Sequence, residues 1–351
     1  MNKKKISEII KDKKPVNVSK FIDFCLYGKY GYYKNSNVLG KKGDFVTSPE
    51  ISQLFGEIIG IYFINDLLEK KNKMFNLIEL GPGNGTLIND MLNIANNFNK
   101  IRTSIRIKLI EINKSLISKQ KKILKNNINN YKISWSKNFY IKNKSPCIII
   151  ANEFFDCLPI RQFYKKQNIW FEKMVTVNES GNYLKFIDKE IKEKKLLNKI
   201  NQYESKEVLE YSISRENYFQ KLCKHINIYG GKIIIIDYGY YERPNYFTLQ
   251  SLKNNKKTNI FDNIGTQDIT SLVDFKKLIE IAKFNNLTIE NFCTQREFLL
   301  TYGIKLREKI ISKKSTSDKK KMIKKGVERI IGENDMGTLF KVLILRKKNV
   351  S

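Results

Sequence analysis

The segment LIELGPGNGT at residues 77–86 constrains the fold of this chain more than any other. A short apolar run ends in Glu79, and Gly81, Gly83 and Gly85 follow on alternate positions. LINDMLNIANNF at 87–98 then reads as a helix. Strand, glycine-rich turn and helix together build a place where backbone N–H groups and a helix N-terminus face a ligand. Glycine admits positive φ and lets a ligand approach the backbone with no Cβ in the way. The plain alternative is a tight turn with no ligand; three alternating glycines after an acid argue against it. The nicotinamide fingerprint is G-x-G-x-x-G, and here the third glycine arrives one position early.

From this loop onward, strands alternate with helices. IRIKLIEI (105–112), YKISWS (131–136), SPCIIIANEFFD (145–156), GGKIIIIDYGY (230–240), LTIENFCT (287–294) and TLFKVLILR (338–346) read as the second to seventh strands. NKSLISKQKKILKNN (113–127) and DFKKLIEIAKFNN (274–286) read as helices. Such alternation predicts a doubly wound α/β sheet of seven strands, a Rossmann-like architecture. Residues 1–70 form an N-terminal extension ahead of a domain at 71–346. Insertions interrupt that domain at about 157–206 and at 295–333, the second helix-rich and basic. In the long gap after the fourth strand, IRQFYKKQNIWFEKMVTVN (160–178) reads as a hairpin and EVLEYSISRENYFQKLCKHI (207–226) as the crossover helix.

Composition narrows the chemistry. A net charge of +30 invites a nucleic-acid reading, yet only 9 of the 65 basic residues are Arg, and the lysines are spread along the chain without aromatic interleaving. Runs such as KKNK (70–73) and KKSTSDKKKMIKK (313–325) read as solvated surface. No stable nucleic-acid partner is expected. The 5 cysteines form no C-x-x-C pair, so neither a zinc knuckle nor a dithiol motif is supported, and no metal is expected. A single histidine, His225, excludes most histidine-based triads and metal sites and reads as a packing residue. Acid–base work falls to carboxylates, Tyr or Lys. The apolar runs CIII and KIIIID are far too short to span a bilayer and read as buried parallel strands.

An acid two positions before G-x-G-x-G is the pattern of S-adenosyl-L-methionine (AdoMet) methyltransferases of the doubly wound class. On that reading Gly81, Gly83 and Gly85 pack against the amino-acid part of AdoMet, and Glu79 fixes the loop or contacts the ligand through water. Glu111, closing the second strand, is placed to accept the ribose hydroxyls. Asn152, Glu153 and Asp156 close the fourth strand, on the edge where doubly wound sheets bind substrates. Glu153 and Asp156 form a candidate carboxylate pair for a guanidinium, which is always charged and prefers bidentate partners. An acid capping a helix start is the other reading of these residues. GDFVTSPEIS (43–52) places Pro49 and Glu50 at a helix start with Ser48 as candidate N-cap. Tyr238, in the Asp237-Tyr238-Gly239 end of the fifth strand, reads as a core or rim aromatic.

GKYGYY (28–33), GDFVTSPEISQLFGEIIG (43–60), IELGPGNGTL (78–87), ANEFFDCLPIRQF (151–163), IIIDYGY (234–240), QDITSLVDF (267–275) and MGTLFKVLIL (336–345) occur in this order. Together they resemble the MidA-like family of AdoMet-dependent methyltransferases, over nearly the whole chain. Mitochondrial members of that family are complex I assembly factors that symmetrically dimethylate an arginine in the quinone-site subunit. The resemblance implies AdoMet as cofactor, that subunit as protein substrate, and a lid over the cofactor site from the segment holding Ser48 and Glu50. It leaves a homodimer open. The other readings are a non-catalytic AdoMet-binding assembly factor, or a methyltransferase of RNA or a small molecule. Two departures stand out. Leu272 occupies a position usually held by histidine, and Trp135 is followed by Ser136 and Lys137 where a polar pair is common, which leaves the adenine contact unassigned. The family pattern is already under way at NVSKFIDFCLYGKYGYY (17–33), and MNKKKISEII carries lysines, no arginine and Glu8. No ordinary presequence is expected, and a bacterial-type cytoplasm is.

Overall fold

Seven strands, numbered here in chain order, build the central sheet: β1 (Phe75–Leu80), β2 (Ile105–Ile110), β3 (Lys132–Ser136), β4 (Cys147–Asn152), β5 (Gly231–Tyr240), β6 (Leu287–Thr294) and β7 (Phe340–Lys347). They lie in the order β6-β7-β5-β4-β1-β2-β3, and a two-residue strand, Val273–Asp274, pairs with the end of β5. Pairing is parallel from β3 to β5, and β7 runs antiparallel to both β5 and β6. The computed structural model describes residues 10, 14–34, 46–68, 74–140, 145–203 and 207–348. The lysine-rich start, the KKNK run and Gly43-Asp44-Phe45 lie outside the described residues.

Side chains alternate across a strand, so the apolar runs divide between two cores. Leu77, Ile148, Ile150, Ile234, Ile236, Val342 and Ile344 point to one face, while Ile78, Ile149, Ile233, Ile235, Leu343 and Leu345 point to the other. The first face is covered by the helices Gln53–Leu68 and Thr86–Ala95 and by the insertion helices Gln295–Thr301, Ile304–Lys313 and Ser317–Ile331. The second is covered by Ile213–Tyr229 and Phe275–Phe284. Helix Gln53–Leu68 is buried nearly all round, as its even distribution of apolar residues requires. Its two buried acids are paired: Glu57 with Arg307 at 2.7 Å and Asp66 with Lys232 at 2.5 Å.

A second, antiparallel sheet fills the gap after β4. Arg161–Lys166 and Ile169–Val177 form the expected hairpin, turning at Gln167 and Asn168, both with positive φ. Leu184–Glu190 and Val208–Tyr211 flank it, and Val16–Asn17 adds to Met174 and Val175. The expected crossover helix over 207–226 therefore needs correcting. Val208–Tyr211 is a strand with Leu209 and Tyr211 buried, and the helix begins after Ser212, whose hydroxyl accepts from the N–H of Arg215. The expected helix over 113–127 breaks at Leu124 into Lys114–Ile123 and Lys125–Ile128. A small sheet of Gln250–Lys253, Lys256–Thr258 and Asp268–Thr270 was not foreseen. Helix Val18–Tyr27 packs through Val18, Phe21, Ile22, Cys25 and Leu26 against Val175, Ile160 and Ile269.

Candidate functional site

Neighbouring strands β1 and β4 send the chain to opposite sides of the sheet, and a crevice opens at their carboxyl ends. A cavity of about 420 Å³ lies there. Glu79, Gly81, Gly83, Glu111, Asn152, Glu153 and Glu50 all line it. Gly85, Ser48 and Asp156 do not touch the cavity.

The glycine loop has the backbone that its sequence predicts. Gly81, Gly83 and Gly85 have φ of +59°, +56° and +89°. A Cβ on Gly81 would come within 3.0 Å of the Phe154 ring, and one on Gly85 within 3.2 Å of the Gln120 side chain. Both backbone conformation and space therefore require glycine.

Glu79 is buried, and its Oε2 has no hydrogen-bond partner among the described residues. Burial, then the nearby Glu111, push its carboxyl up to about 8. Burial also raises Glu111, against hydrogen bonds that favour its charged form. The N–H of Asn113 donates to Glu111 Oε1 at 2.8 Å, and Gln120 Nε2 donates to Oε2 at 3.3 Å. Gln120 is the hub of this wall: the same amide donates to the Gly83 carbonyl at 2.7 Å, and its Oε1 accepts from the Trp135 indole at 2.8 Å. It ties the glycine loop to the ends of β2 and β3, a role its place inside a helix concealed. Beyond Trp135, Lys137 and Asn138 line the cavity.

On the β4 side, Asn152 is buried, with Oδ1 unpartnered among the described residues. Glu153 adopts a left-handed backbone, φ +49°, unusual for a residue with a Cβ. Its Oε1 accepts from the Ser48 N–H at 3.0 Å and from the Asn152 amide at 3.3 Å. Burial pushes its carboxyl up to about 8, with the Ser48 N–H working against the shift and Asp156 adding to it.

Asp156 sits behind the turn. Burial pushes it up to about 6, although Arg215 and a hydrogen bond from Tyr238 favour its charged form. Glu153 and Asp156 are near enough to influence each other's ionisation, but only Glu153 faces the cavity. Two residues fix the turn between them. Asp237 Oδ2 accepts from the N–H groups of Phe155 (2.9 Å) and Asp156 (3.2 Å). Arg215 donates to the carbonyls of Phe155 (2.6 Å), Asp156 (2.8 Å), Ser271 (3.1 Å) and Leu272 (2.9 Å) and to the Ser271 hydroxyl (2.6 Å). Tyr238 is a buried core aromatic. The position at Leu272 thus contributes a backbone carbonyl to the anchor of the turn.

The segment at 47–51 closes one side of the cavity. The N-cap is Thr47, not Ser48: Ser48 is the first helical residue, and its hydroxyl donates to Gln295 Oε1 at 3.3 Å. Glu50 Oε1 accepts from the Thr86 hydroxyl (2.5 Å) and the Asn84 amide (3.2 Å), joining this segment to the glycine loop. His225 contacts Cys147 at 3.1 Å, at the opposite end of β4 from the cavity. Among the described residues no cluster of His, Cys, Asp and Glu could hold a metal ion, and no helix is long and apolar enough to cross a membrane.

The chain matches, over residues 58–293, the family described as "Putative S-adenosyl-L-methionine-dependent methyltransferase". It is 32% identical, over 99% of its length and 87% of the relative's, to a Caenorhabditis elegans protein named as a mitochondrial protein arginine methyltransferase NDUFAF7 homolog. It is 28% identical to human mitochondrial protein arginine methyltransferase NDUFAF7, over 96% of the chain and 81% of that protein. The crystal structure of a COG1565 superfamily member from Burkholderia thailandensis, bound to S-adenosyl-homocysteine, superposes with a TM-score of 0.83 at 21% identity, covering 97% of this chain and 90% of that one.

Proposed function

The chain belongs to this family of AdoMet-dependent methyltransferases, and on that premise we propose that it is a protein arginine methyltransferase. Its proposed substrate is an arginine in the quinone-site subunit of respiratory complex I, which it dimethylates symmetrically in support of assembly. The observation that carries the reading is Glu153: a carboxylate on the cavity wall, held in a left-handed turn beside the cofactor loop.

The residues fit AdoMet. A loop with three positive-φ glycines would take its amino-acid part. Glu79 Oε2 and Asn152 Oδ1, both buried acceptors lacking a donor among the described residues, would receive its ammonium. Glu111, held by Asn113 and Gln120, would accept from the ribose. AdoMet supplies an electrophilic methyl carbon on a sulfonium.

Glu153 performs the acceptor half of the chemistry. Its Oε1 is committed to Ser48 and Asn152, which leaves Oε2 for a guanidinium. Pairing there orients the planar group and localises its charge, so that one nitrogen becomes the better nucleophile. The carboxylate can then take the proton that this nitrogen sheds as the N–C bond forms. Asp156 serves in this scheme as a buried neighbour that raises Glu153, not as the second jaw of the pair. Residues 1–70 act as the cover of the site, with Ser48 and Glu50 as its latches, over a methyltransferase domain at 71–346. We assign the reaction to the cytoplasm of a bacterial-type cell.

Mass spectrometry of the quinone-site subunit, purified from cells with and without this protein, tests the proposal. Dimethylarginine should be present only with it. Glu153→Gln should lose at least about tenfold in rate while AdoMet still binds. An unmodified subunit in both samples would overturn the substrate assignment.

A further inference from the structure

Although the chain carries a net charge of +30, its cavity is lined, among the described residues, by Asp23, Glu50, Glu79, Glu111 and Glu153 against a single cation, Lys137. Three of these acids are engaged: Glu50 with Thr86 and Asn84, Glu111 with Asn113 and Gln120, Glu153 with Ser48. Glu79 is buried with one oxygen unpartnered among the described residues. Asp23 is different. It is exposed at the border of the cavity, and partial burial against its surroundings raises its carboxyl.

Its setting suits a cation. Asp23 lies one helical turn before Tyr27 on Val18–Tyr27, so both present to the same face. The Tyr27 hydroxyl donates to the Cys157 carbonyl at 3.2 Å, which docks this helix on the turn that begins at Glu153. The Tyr27 ring stacks with Tyr33, centroids 5.6 Å apart and 28° between planes, and both rings line the cavity. Aromatic faces attract cations, and guanidinium stacks on them while it bonds a carboxylate.

We propose that Asp23, Tyr27 and Tyr33 form a recognition subsite for the cationic side chain of the methyl acceptor, with Asp23 the specificity-determining carboxylate at the cavity mouth. The proposal rests on the arginine reading and supplies the second carboxylate that reading needs. The first segment of the fold, far from the glycine loop in sequence, would then choose the substrate.

Binding separates the two claims. A peptide of the quinone-site subunit bearing the target arginine, and its citrulline counterpart, would be titrated by calorimetry into the protein loaded with S-adenosyl-homocysteine. The wild type should prefer arginine by tenfold or more. Asp23→Asn should cut that preference about tenfold and Asp23→Lys should abolish it, with S-adenosyl-homocysteine affinity unchanged in both. A wild type with no preference for arginine defeats the acceptor reading, and the subsite with it. A wild type with the preference, kept intact in both variants, overturns the Asp23 subsite alone. So does a variant that loses S-adenosyl-homocysteine affinity, because Asp23 would then belong to the cofactor half. Asp23 is exposed, so both variants should fold, and circular dichroism checks that they do.

Discussion

Proton linkage at Glu153 gives the most direct test of its role. In the ligand-free site burial holds this carboxyl up to about 8. At pH 7 only about one molecule in ten then carries the carboxylate, and at pH 9 about nine in ten do. If a guanidinium binds the charged form, the apparent dissociation constant is the intrinsic one divided by that fraction. Affinity for an arginine peptide should therefore rise about tenfold, about 1.4 kcal/mol, from pH 7 to pH 9. Arginine stays protonated throughout, so the peptide contributes no titration of its own. Binding at pH 7 should release close to one proton, and at pH 9 close to none. Calorimetry in two buffers of different ionisation enthalpy counts that proton. S-adenosyl-homocysteine is the right companion ligand, because it lacks the sulfonium charge that would itself favour the carboxylate. Glu153→Gln should bind more weakly at pH 9 and lose the pH dependence. A wild-type affinity flat from pH 7 to pH 9, with no proton released, would refute the argument that Glu153 grips the acceptor.

Two further outcomes follow from the glycine loop and from the buried carboxylates in and around the site. Gly83→Val puts a branched side chain at φ +56° in the loop and should abolish S-adenosyl-homocysteine binding in calorimetry, while circular dichroism reports a folded chain. Glu79 and Glu153 (each about 8), Asp90 (about 7) and Asp156 (about 6) all lie above the ordinary carboxylate range when folded. Between the unfolded and folded values the folded chain binds more protons, so stability falls as pH rises; the melting temperature of the ligand-free protein should drop from pH 5 to pH 8, and a rise across that window would contradict the assignments.

The central sheet was legible because its strands are near-continuous apolar runs and its first turn is written in glycines. Glu79, Glu111, Asn152 and Glu153 could be placed for the same reason: each ends a strand, so local pattern alone puts it on the carboxyl edge. What surrounds them could not be read. Gln120 lies inside a helix, and nothing local says that its amide reaches Glu111 and Gly83. Arg215 supports a turn some 60 residues earlier. Ser48 looked like a cap, yet the chain makes Thr47 the cap and spends the Ser48 N–H on Glu153. Other misses had a signal. VLEY at 208–211 alternates with period two, which marks a strand, although the whole segment 207–226 reads as the crossover helix. The hairpin of the small sheet turns at Asn254 and Asn255, both with positive φ, and an Asn pair between two short polar strands is turn chemistry.

The turn at 153–156 shows how the fold sustains a strained acid. A non-glycine residue at φ +49° persists only where its surroundings over-determine it. Here they do. The Glu153 N–H donates to the Ile236 carbonyl at 2.9 Å, continuing the β4–β5 ladder by one residue. The N–H groups of Phe155 and Asp156 go to Asp237, and the carbonyls of the same residues go to Arg215. With those backbone groups satisfied, the chain cannot relax at Glu153 without breaking bonds to two buried ionisable side chains. Removing Asp237 would leave the buried N–H groups of Phe155 and Asp156 without this acceptor, and removing Arg215 would leave their carbonyls without this donor, a costly state either way. The strain therefore stays where it was put, and it re-aims one carboxylate into the cavity from a strand whose alternation would have turned it elsewhere. Asp237 and Arg215 touch neither ligand in this scheme. In that scheme their part is to hold the turn that fixes where Glu153 points.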